Sequence, residues 1–413
     1  MKIKRKPLSL YIHIPFCKKK CLYCDFLSSP ACGQERESYV KALLREIALM
    51  AETVKDYEII SVFFGGGTPS LLTKSQMERI MSALKKGYYF KADAEITVEC
   101  NPATANLDKL SFYRKCGINR LSIGLQSAFD TELKELGRIH TYEQFLATFH
   151  SARKAGFSNI NIDIMSALPG QTYKSYMDTL KKVIALNPEH ISAYSLIIEE
   201  GTPFYERYGY ADALGKKNDR YPALPDEDIE RKMYHATKSV LEKAGYIRYE
   251  ISNYAKKGYE CRHNLTYWTG IEYLGVGIGA ASYLQEFRFK NCSDREEYTR
   301  FFLRKNKIML ASVKQGGEDG EYILFHALHE EIQKLSMKEQ MEEFMFLGLR
   351  LIRGISVTEF RKRFGKNPKE VYPGIIERFH KEKLLLCKNG RICLSKRGMD
   401  VANYVMSEFI LEK

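Results

Sequence analysis

The segment Tyr11-Ile12-His13-Ile14-Pro15-Phe16-Cys17-Lys18-Lys19-Lys20-Cys21-Leu22-Tyr23-Cys24 runs from a strand-like apolar stretch straight into a C-x3-C-x2-C array. Thiolates on a short loop are the usual means of holding an iron-sulfur cluster, and a reducing compartment keeps such thiols free for metal. Three cysteines cannot close a four-iron cube. One iron of a [4Fe-4S] cluster would stay without a protein ligand from this motif, open to the amino and carboxylate groups of a bound cofactor. A tetrahedral zinc site asks for four ligands at other spacings, and His13 lies inside the strand rather than after the array. A disulfide framework fits no better, because ten cysteines in 413 residues are dilute and no secretory segment precedes them. The rest of the chain reads as a scaffold around this loop.

That scaffold alternates short β-rich runs with longer stretches of helical period from Leu8 to about Leu196, the pattern of consecutive βα units. Strands are expected at Leu8 to Ile14, Ile59 to Phe64, Glu95 to Glu99, Asn119 to Ile123, Asn159 to Ile164 and His190 to Leu196. Helices are expected near Glu35 to Val54, Lys74 to Lys85, Leu107 to Lys115, Tyr142 to Ala155 and Ser175 to Leu186, with Thr73 and Thr141 as caps. Parallel strands joined this way close into a barrel or part of one, and working residues gather at the C-terminal ends of the strands. Each predicted strand ends in groups that a plain core strand does not need. The second runs into Gly65-Gly66-Gly67-Thr68-Pro69, where the glycines would let a ligand touch the backbone and meet its N–H groups. The third ends in Glu99-Cys100-Asn101-Pro102, the fourth leads to Gly124-Leu125-Gln126-Ser127, and the fifth carries Asp163.

The combination of H-I-P-F-C-x3-C-x-Y-C, G-G-G-T-P, V-E-x-N-P, S-I-G-L-Q-S and L-G-R-I-H resembles the radical S-adenosylmethionine superfamily, in its coproporphyrinogen III dehydrogenase-like branch. The resemblance implies an α/β fold, a partial (β/α)6 barrel, with a [4Fe-4S] cluster whose open iron takes the methionine end of S-adenosylmethionine. Carried over residue by residue, Cys17, Cys21 and Cys24 are the expected cluster ligands. Tyr11, Tyr23, Gly66, Gly67, Thr68, Glu99, Gln126, Arg138 and Asp163 are the expected cofactor residues. Arg138 can offer its fork of donors to a carboxylate, and Glu99 or Asp163 can accept from ribose hydroxyls or complement a sulfonium. The plain alternative for these charged groups is an ordinary buried ion pair.

Two features separate the chain from porphyrinogen-oxidising members of that branch, which carry a fourth cysteine right after the triad. Here Phe26 fills that place, and Cys261-Arg262-His263-Asn264-Leu265-Thr266-Tyr267-Trp268 resembles the H-N-L-x-Y-W signature of the HemW-type heme chaperones. The resemblance implies a heme-binding protein that hands heme to an acceptor apo-hemoprotein. His263 is the expected heme ligand, Tyr267 and Trp268 a flat surface for the macrocycle, and Arg262 a partner for propionates. The structural alternative is that His263 caps a turn and Trp268 is core. The enzyme alternative is cofactor cleavage followed by hydrogen abstraction from coproporphyrinogen III. Ala281 stands where many relatives would have histidine, and Lys314 to Leu335, with Gly316-Gly317-Glu318-Asp319-Gly320 as a loop, looks longer than the family needs.

Three regions are expected: residues 1–200 for the barrel with its cluster and cofactor site, 201–340 for a barrel extension, and 341–413 for a C-terminal winged-helix-like α+β domain. In the last, Glu342 to Ile352 has apolar residues at helical spacing, Ser356 to Phe364 and Gly374 to Glu382 read as helices, and Leu384 to Leu394 as a hairpin about Asn389-Gly390. A cluster-bearing nucleic-acid regulator is the rival reading. From Gly354 onward there are thirteen Lys or Arg against seven Asp or Glu. Glu377 and Glu382 on the would-be recognition helix argue against a specific nucleic-acid reader. The whole-chain charge of +13 favours anionic partners in general and leaves peripheral membrane contact open, while no apolar run is long enough to span a bilayer. A cytoplasmic protein is expected, since His13, Pro15 and the cysteines interrupt the apolar run that follows the basic N-terminus.

Overall fold

A computed structural model of the chain describes residues 5–209, 220–304, 311–314 and 322–410. Six strands pair in parallel and in sequence order: β1 (Lys6–Ile14), β2 (Tyr57–Gly66), β3 (Phe90–Cys100), β4 (Arg120–Gln126), β5 (Ile160–Ser166) and β6 (His190–Ser195). Between them run α1 (Gly33–Met50), α2 (Lys74–Gly87), α3 (Leu107–Cys116), the short α4 (Asp130–Glu135), α5 (Tyr142–Lys154) and α6 (Tyr173–Ala185). Thr73, Thr141 and Thr172 each cap a helix by accepting from the amide three residues on. The predicted strands all form. The largest difference is at β3, which starts at Phe90 rather than Glu95, because Lys91–Asp93 are exposed and carry no apolar alternation. On β1 the outward side chains Leu8, Leu10, Ile12 and Ile14 enter the main core beneath the helices, while Ser9, Tyr11 and His13 turn into the barrel.

The barrel does not close on itself. Beyond β6 lie β7 (Ile247–Arg248) and β8 (Asn253–Ala255), and β9 (Tyr273–Val276) pairs in parallel with the free edge of β1. From β9 the sheet continues antiparallel through β10 (Ala281–Leu284) and β11 (Phe287–Asn291). The strands β12 (Ala311–Lys314) and β13 (Tyr322–Phe325) form a separate two-stranded ribbon, and β14 (His329–Lys334) completes a twelve-stranded sheet. The region expected as an extension is thus hydrogen-bonded into the same sheet. The glycine-rich loop at Gly316–Gly320 lies outside the described residues. Fully buried Glu46 of α1 ties the extension down, accepting from the Gly277 amide at 2.7 Å, from Asn291 and from the Tyr298 hydroxyl.

The helix Arg262–Thr269 packs against the inner face of β1 and β2. Thr266 Oγ1 lies 2.7 Å from Ser9 Oγ on β1, and His263 Nδ1 lies 3.0 Å from Ser61 Oγ on β2. The C-terminal module comprises the helix Met337–Gly348, β15 (Ile355–Ser356), the helices Val357–Phe364 and Pro373–Lys381, and β16 (Leu385–Lys388) with β17 (Arg391–Leu394). Its hairpin turns on Asn389 (φ 52°) and Gly390 (φ 68°), both left-handed as an Asn-Gly turn of the mirror-image type requires. The module has its own core around Met345, Phe360, Phe379 and Leu385. It docks on the extension through a two-pronged Arg288–Glu343 pair at 2.6 and 2.8 Å, and through Arg363 to the Tyr283 hydroxyl at 3.0 Å. Among the described residues no helix is long and apolar enough to cross a membrane.

Candidate cluster and cofactor site

At the C-terminal ends of β1 to β6 opens a cavity of about 430 Å³. Its wall holds every cluster and cofactor residue expected from the sequence except Tyr11: Cys17, Cys21, Cys24, Tyr23, Gly66, Gly67, Thr68, Glu99, Gln126, Arg138 and Asp163. Tyr11 lies behind that wall on the inner face of β1, its hydroxyl 3.2 Å from His13 Nδ1 and its ring stacked on Phe63.

The three cysteines are unpaired and half-buried. Their loop is pinned at several points: the Cys17 amide donates to Ser29 O at 3.2 Å, Leu22 N to Leu136 O at 3.0 Å, and Cys24 N to Cys21 O at 3.3 Å. Cys17 Sγ lies 3.5 Å from Thr68 Oγ1, and Arg138 Nη1 donates toward Cys21 Sγ at 3.7 Å. Burial, with the neighbouring Cys21 and Cys17 adding to it, pushes the Cys24 thiol up to about 11. Three soft donors lining one cavity suit an iron centre, whose own charge turns thiols into thiolates. Cys100 also reaches the wall, but its buried thiol donates to Asn101 O at 3.6 Å. Phe26 sits at the rim, 59% exposed.

The glycine triplet works differently from the expectation. The amides of Gly67 and Thr68 do not face a ligand; they donate to Ile14 O at 2.9 Å and Phe16 O at 2.7 Å, the chain leading into the cysteine loop. A side chain at Gly67 would meet Phe16 O and N at 2.7 and 2.8 Å, and one at Gly66 (φ +106°) would strike the His13 ring. The glycines exist here because two strand ends approach too closely for a Cβ. The Gly66 amide alone turns to a charged group, the Glu99 carboxyl.

On the opposite wall burial lifts the Glu99 carboxyl to about 8, with Asp163 adding to the effect. Asp163, itself raised by burial, accepts from Asn161 Nδ2 at 2.7 Å and Ser122 Oγ at 3.2 Å. Two half-buried carboxyls with no ion pair among the described residues suit a ligand that brings positive charge or hydroxyl donors. Gln126 follows a register shift in β4, takes a left-handed φ of 71°, and accepts from the Tyr194 hydroxyl at 3.1 Å. Arg138 Nη2 donates to Asn101 Oδ1 and to Gly124 O, both at 2.9 Å. Asn101 and Tyr194 were not among the expected cofactor residues. Asn101 links Arg138 to Thr68 through a 2.8 Å bond from its amide, and the alternation His190, Ser192, Tyr194 along β6 carries the signal for Tyr194.

The H-N-L-T-Y-W helix does not present the single face expected for a macrocycle. His263 is 2% exposed, packed against Phe63 at 5.1 Å, with Nδ1 engaged by Ser61 and Nε2 2.9 Å from the Tyr267 hydroxyl. Burial, and then the buried Arg120, hold the imidazole neutral down to about 3. Trp268 points the other way, into a crevice of about 210 Å³ between the sheet extension and the C-terminal module, where Arg350 stacks 4.3 Å above its ring. Arg262 is paired with Asp93 at 3.0 Å. At 3.6 residues per turn, residues five apart such as His263 and Trp268 point about 140° apart, so they part company once one side faces the barrel interior.

Comparison with known proteins gives two family matches, the radical SAM superfamily over residues 11–183 and the HemN C-terminal domain over 335–401. The protein named heme chaperone HemW of Lactococcus lactis subsp. lactis is 34% identical over 408 residues, spanning 99% of this chain and 98% of that one. Its namesake of Bacillus subtilis is 33% identical over 405 residues, spanning 98% and 99%. That of Escherichia coli is 40% identical over 279 residues, spanning 67% and 70%. Among solved structures, coproporphyrinogen III oxidase (HemN) from Escherichia coli, a radical SAM enzyme, superposes with a TM-score of 0.77 over 98% of this chain and 90% of its own, at 24% identity, a likeness of fold. The chain belongs to the heme chaperone HemW family, and its radical SAM domain implies a [4Fe-4S] cluster and S-adenosylmethionine.

Proposed function

Starting from that membership, we propose that the protein binds heme and delivers it to an acceptor apo-hemoprotein, carrying a [4Fe-4S] cluster on Cys17, Cys21 and Cys24. The observation that carries the reading is the end-to-end similarity to proteins named heme chaperones, which runs from the cysteine loop through the C-terminal module. The cluster, when bound, supplies an open iron for the methionine end of S-adenosylmethionine and a one-electron redox centre. Around it, Arg138 and Thr68 would hold the amino-acid end of the cofactor, Glu99 and Asp163 would complement its positive charge or accept from its ribose, and Gln126 and Tyr23 complete the cavity wall. Phe26 supports a chaperone over an oxidase, since it puts a phenyl ring rather than a thiol at that point of the rim.

His263 enters this reading conditionally on the fold. With both nitrogens engaged, it can ligate iron only after the helix Arg262–Thr269 withdraws from β2, so heme capture through His263 is coupled to opening of the barrel's inner wall. A cytoplasmic setting, which keeps the cluster thiols reduced, belongs to the same proposal.

The deciding experiment is an anaerobic heme titration of the cluster-loaded protein, followed at the Soret band, alongside an assay for protoporphyrinogen formation from coproporphyrinogen III. Saturation near one heme per chain without turnover supports the chaperone. Sustained porphyrinogen oxidation without specific heme binding overturns it.

A further inference from the structure

The guanidinium of Arg138 is held by two fixed acceptors, Asn101 Oδ1 and Gly124 O, through one nitrogen, Nη2. That anchoring aims the other terminal nitrogen, Nη1, at Cys21 Sγ, 3.7 Å away. Tyr23 packs beside the same pair and shares a hydrogen bond with Arg138. Neither Cys17, whose sulfur faces the neutral Thr68 hydroxyl, nor Cys24 has a guanidinium partner among the hydrogen bonds of the described residues. One thiol of the three therefore sits against an oriented, permanently charged donor.

We propose that Arg138 sets the reduction potential of the cluster through Cys21, in addition to serving the cofactor. A cation and an N–H donor at a ligating sulfur stabilise the more negative, reduced cluster relative to the oxidised one. The effect requires no movement, because Asn101 and the β4 backbone fix the donor in place. A single guanidinium has five N–H groups, so the bonds to Asn101, Gly124, Cys21 and Tyr23 leave one donor for a cofactor carboxylate. Cluster potential and cofactor hold thus share one side chain.

The inference rests on Cys21 being a cluster ligand, which iron and sulfide analysis tests separately. The experiment is a potentiometric titration, monitored by electron paramagnetic resonance, of the reconstituted protein without S-adenosylmethionine. Arg138→Gln, with iron and sulfide content equal to the wild type, is expected to shift the cluster to a more negative potential. Arg138→Lys, which keeps the charge but not the fork, is expected to fall between the two. Equal potentials in all three proteins overturn the proposal. Where Arg138→Gln fails to load a cluster, Arg138→Lys decides alone: a more negative potential than wild type supports the role, and an unchanged one removes it.

Discussion

Glu99 and Asp163 hang from neighbouring parts of one cavity wall, and the field of Asp163 adds to burial in lifting Glu99 from the ordinary 4.5 to about 8. The sign follows from linkage. A carboxyl whose folded pKa is raised stabilises the fold fully below about 4.5, and that contribution is lost as the pH climbs toward about 8. Without cofactor, Glu99→Gln is therefore expected to melt close to wild type at pH 4.5 and increasingly above it toward pH 8. Scanning calorimetry across that range checks this, and parallel melting curves at every pH would show that Glu99 keeps an ordinary pKa.

Cys21→Ala is expected to abolish the cluster, because two thiolates cannot hold it. Iron and sulfide analysis with the visible spectrum reads the outcome. A full complement of both in the variant would remove Cys21 from the ligand set.

His263→Ala removes an imidazole bonded to Ser61 and Tyr267 and leaves the Tyr267 hydroxyl facing a void, while Ser61 keeps its bond to Ser9. The loss is expected to be about 2–4 kcal/mol of unfolding free energy, combining unsatisfied polar groups with a cavity. Urea denaturation measures it in the absence of heme. A drop in heme affinity without that loss of stability would mean that His263 is not the internal tie described above.

Glu343→Ala should loosen the C-terminal module, since it strips Arg288 of its two-pronged partner in a half-buried seam. About 1–3 kcal/mol is the expected scale for a charge-assisted pair in such a setting. Limited proteolysis between the sheet extension and the module reads this directly, and unchanged cleavage would assign the docking to the apolar contacts around Phe344 and Leu347.

The parallel core was legible because its strands are β-rich runs separated by stretches of helical period, and because threonine caps mark helix starts. The converging polar groups at those strand ends were legible for the same reason. Short pieces were not: β7 to β9 span only a few residues each, too short to establish a period. The role of Gly66 and Gly67 escaped because a glycine run looks alike whether it admits a ligand or another strand. The fate of His263 escaped because helical spacing gives the angle between His263 and Trp268 but not which of them faces the barrel, a choice made by Ser9 and Ser61 on distant strands.

The contact between the Gly67 backbone and the chain entering the cysteine loop has a consequence for how the loop tolerates change. The thiols are held from outside, by Ile14 and Phe16 carbonyls clamped to β2, while the spacers Lys18, Lys19 and Lys20 are exposed. Randomising those three lysines should leave the thiol triangle where it is. A single methyl group at position 67, far away in the chain, would press on Phe16 backbone atoms that have nowhere to go and pull the triangle apart. The mutational fragility of the motif thus resides in a residue outside it.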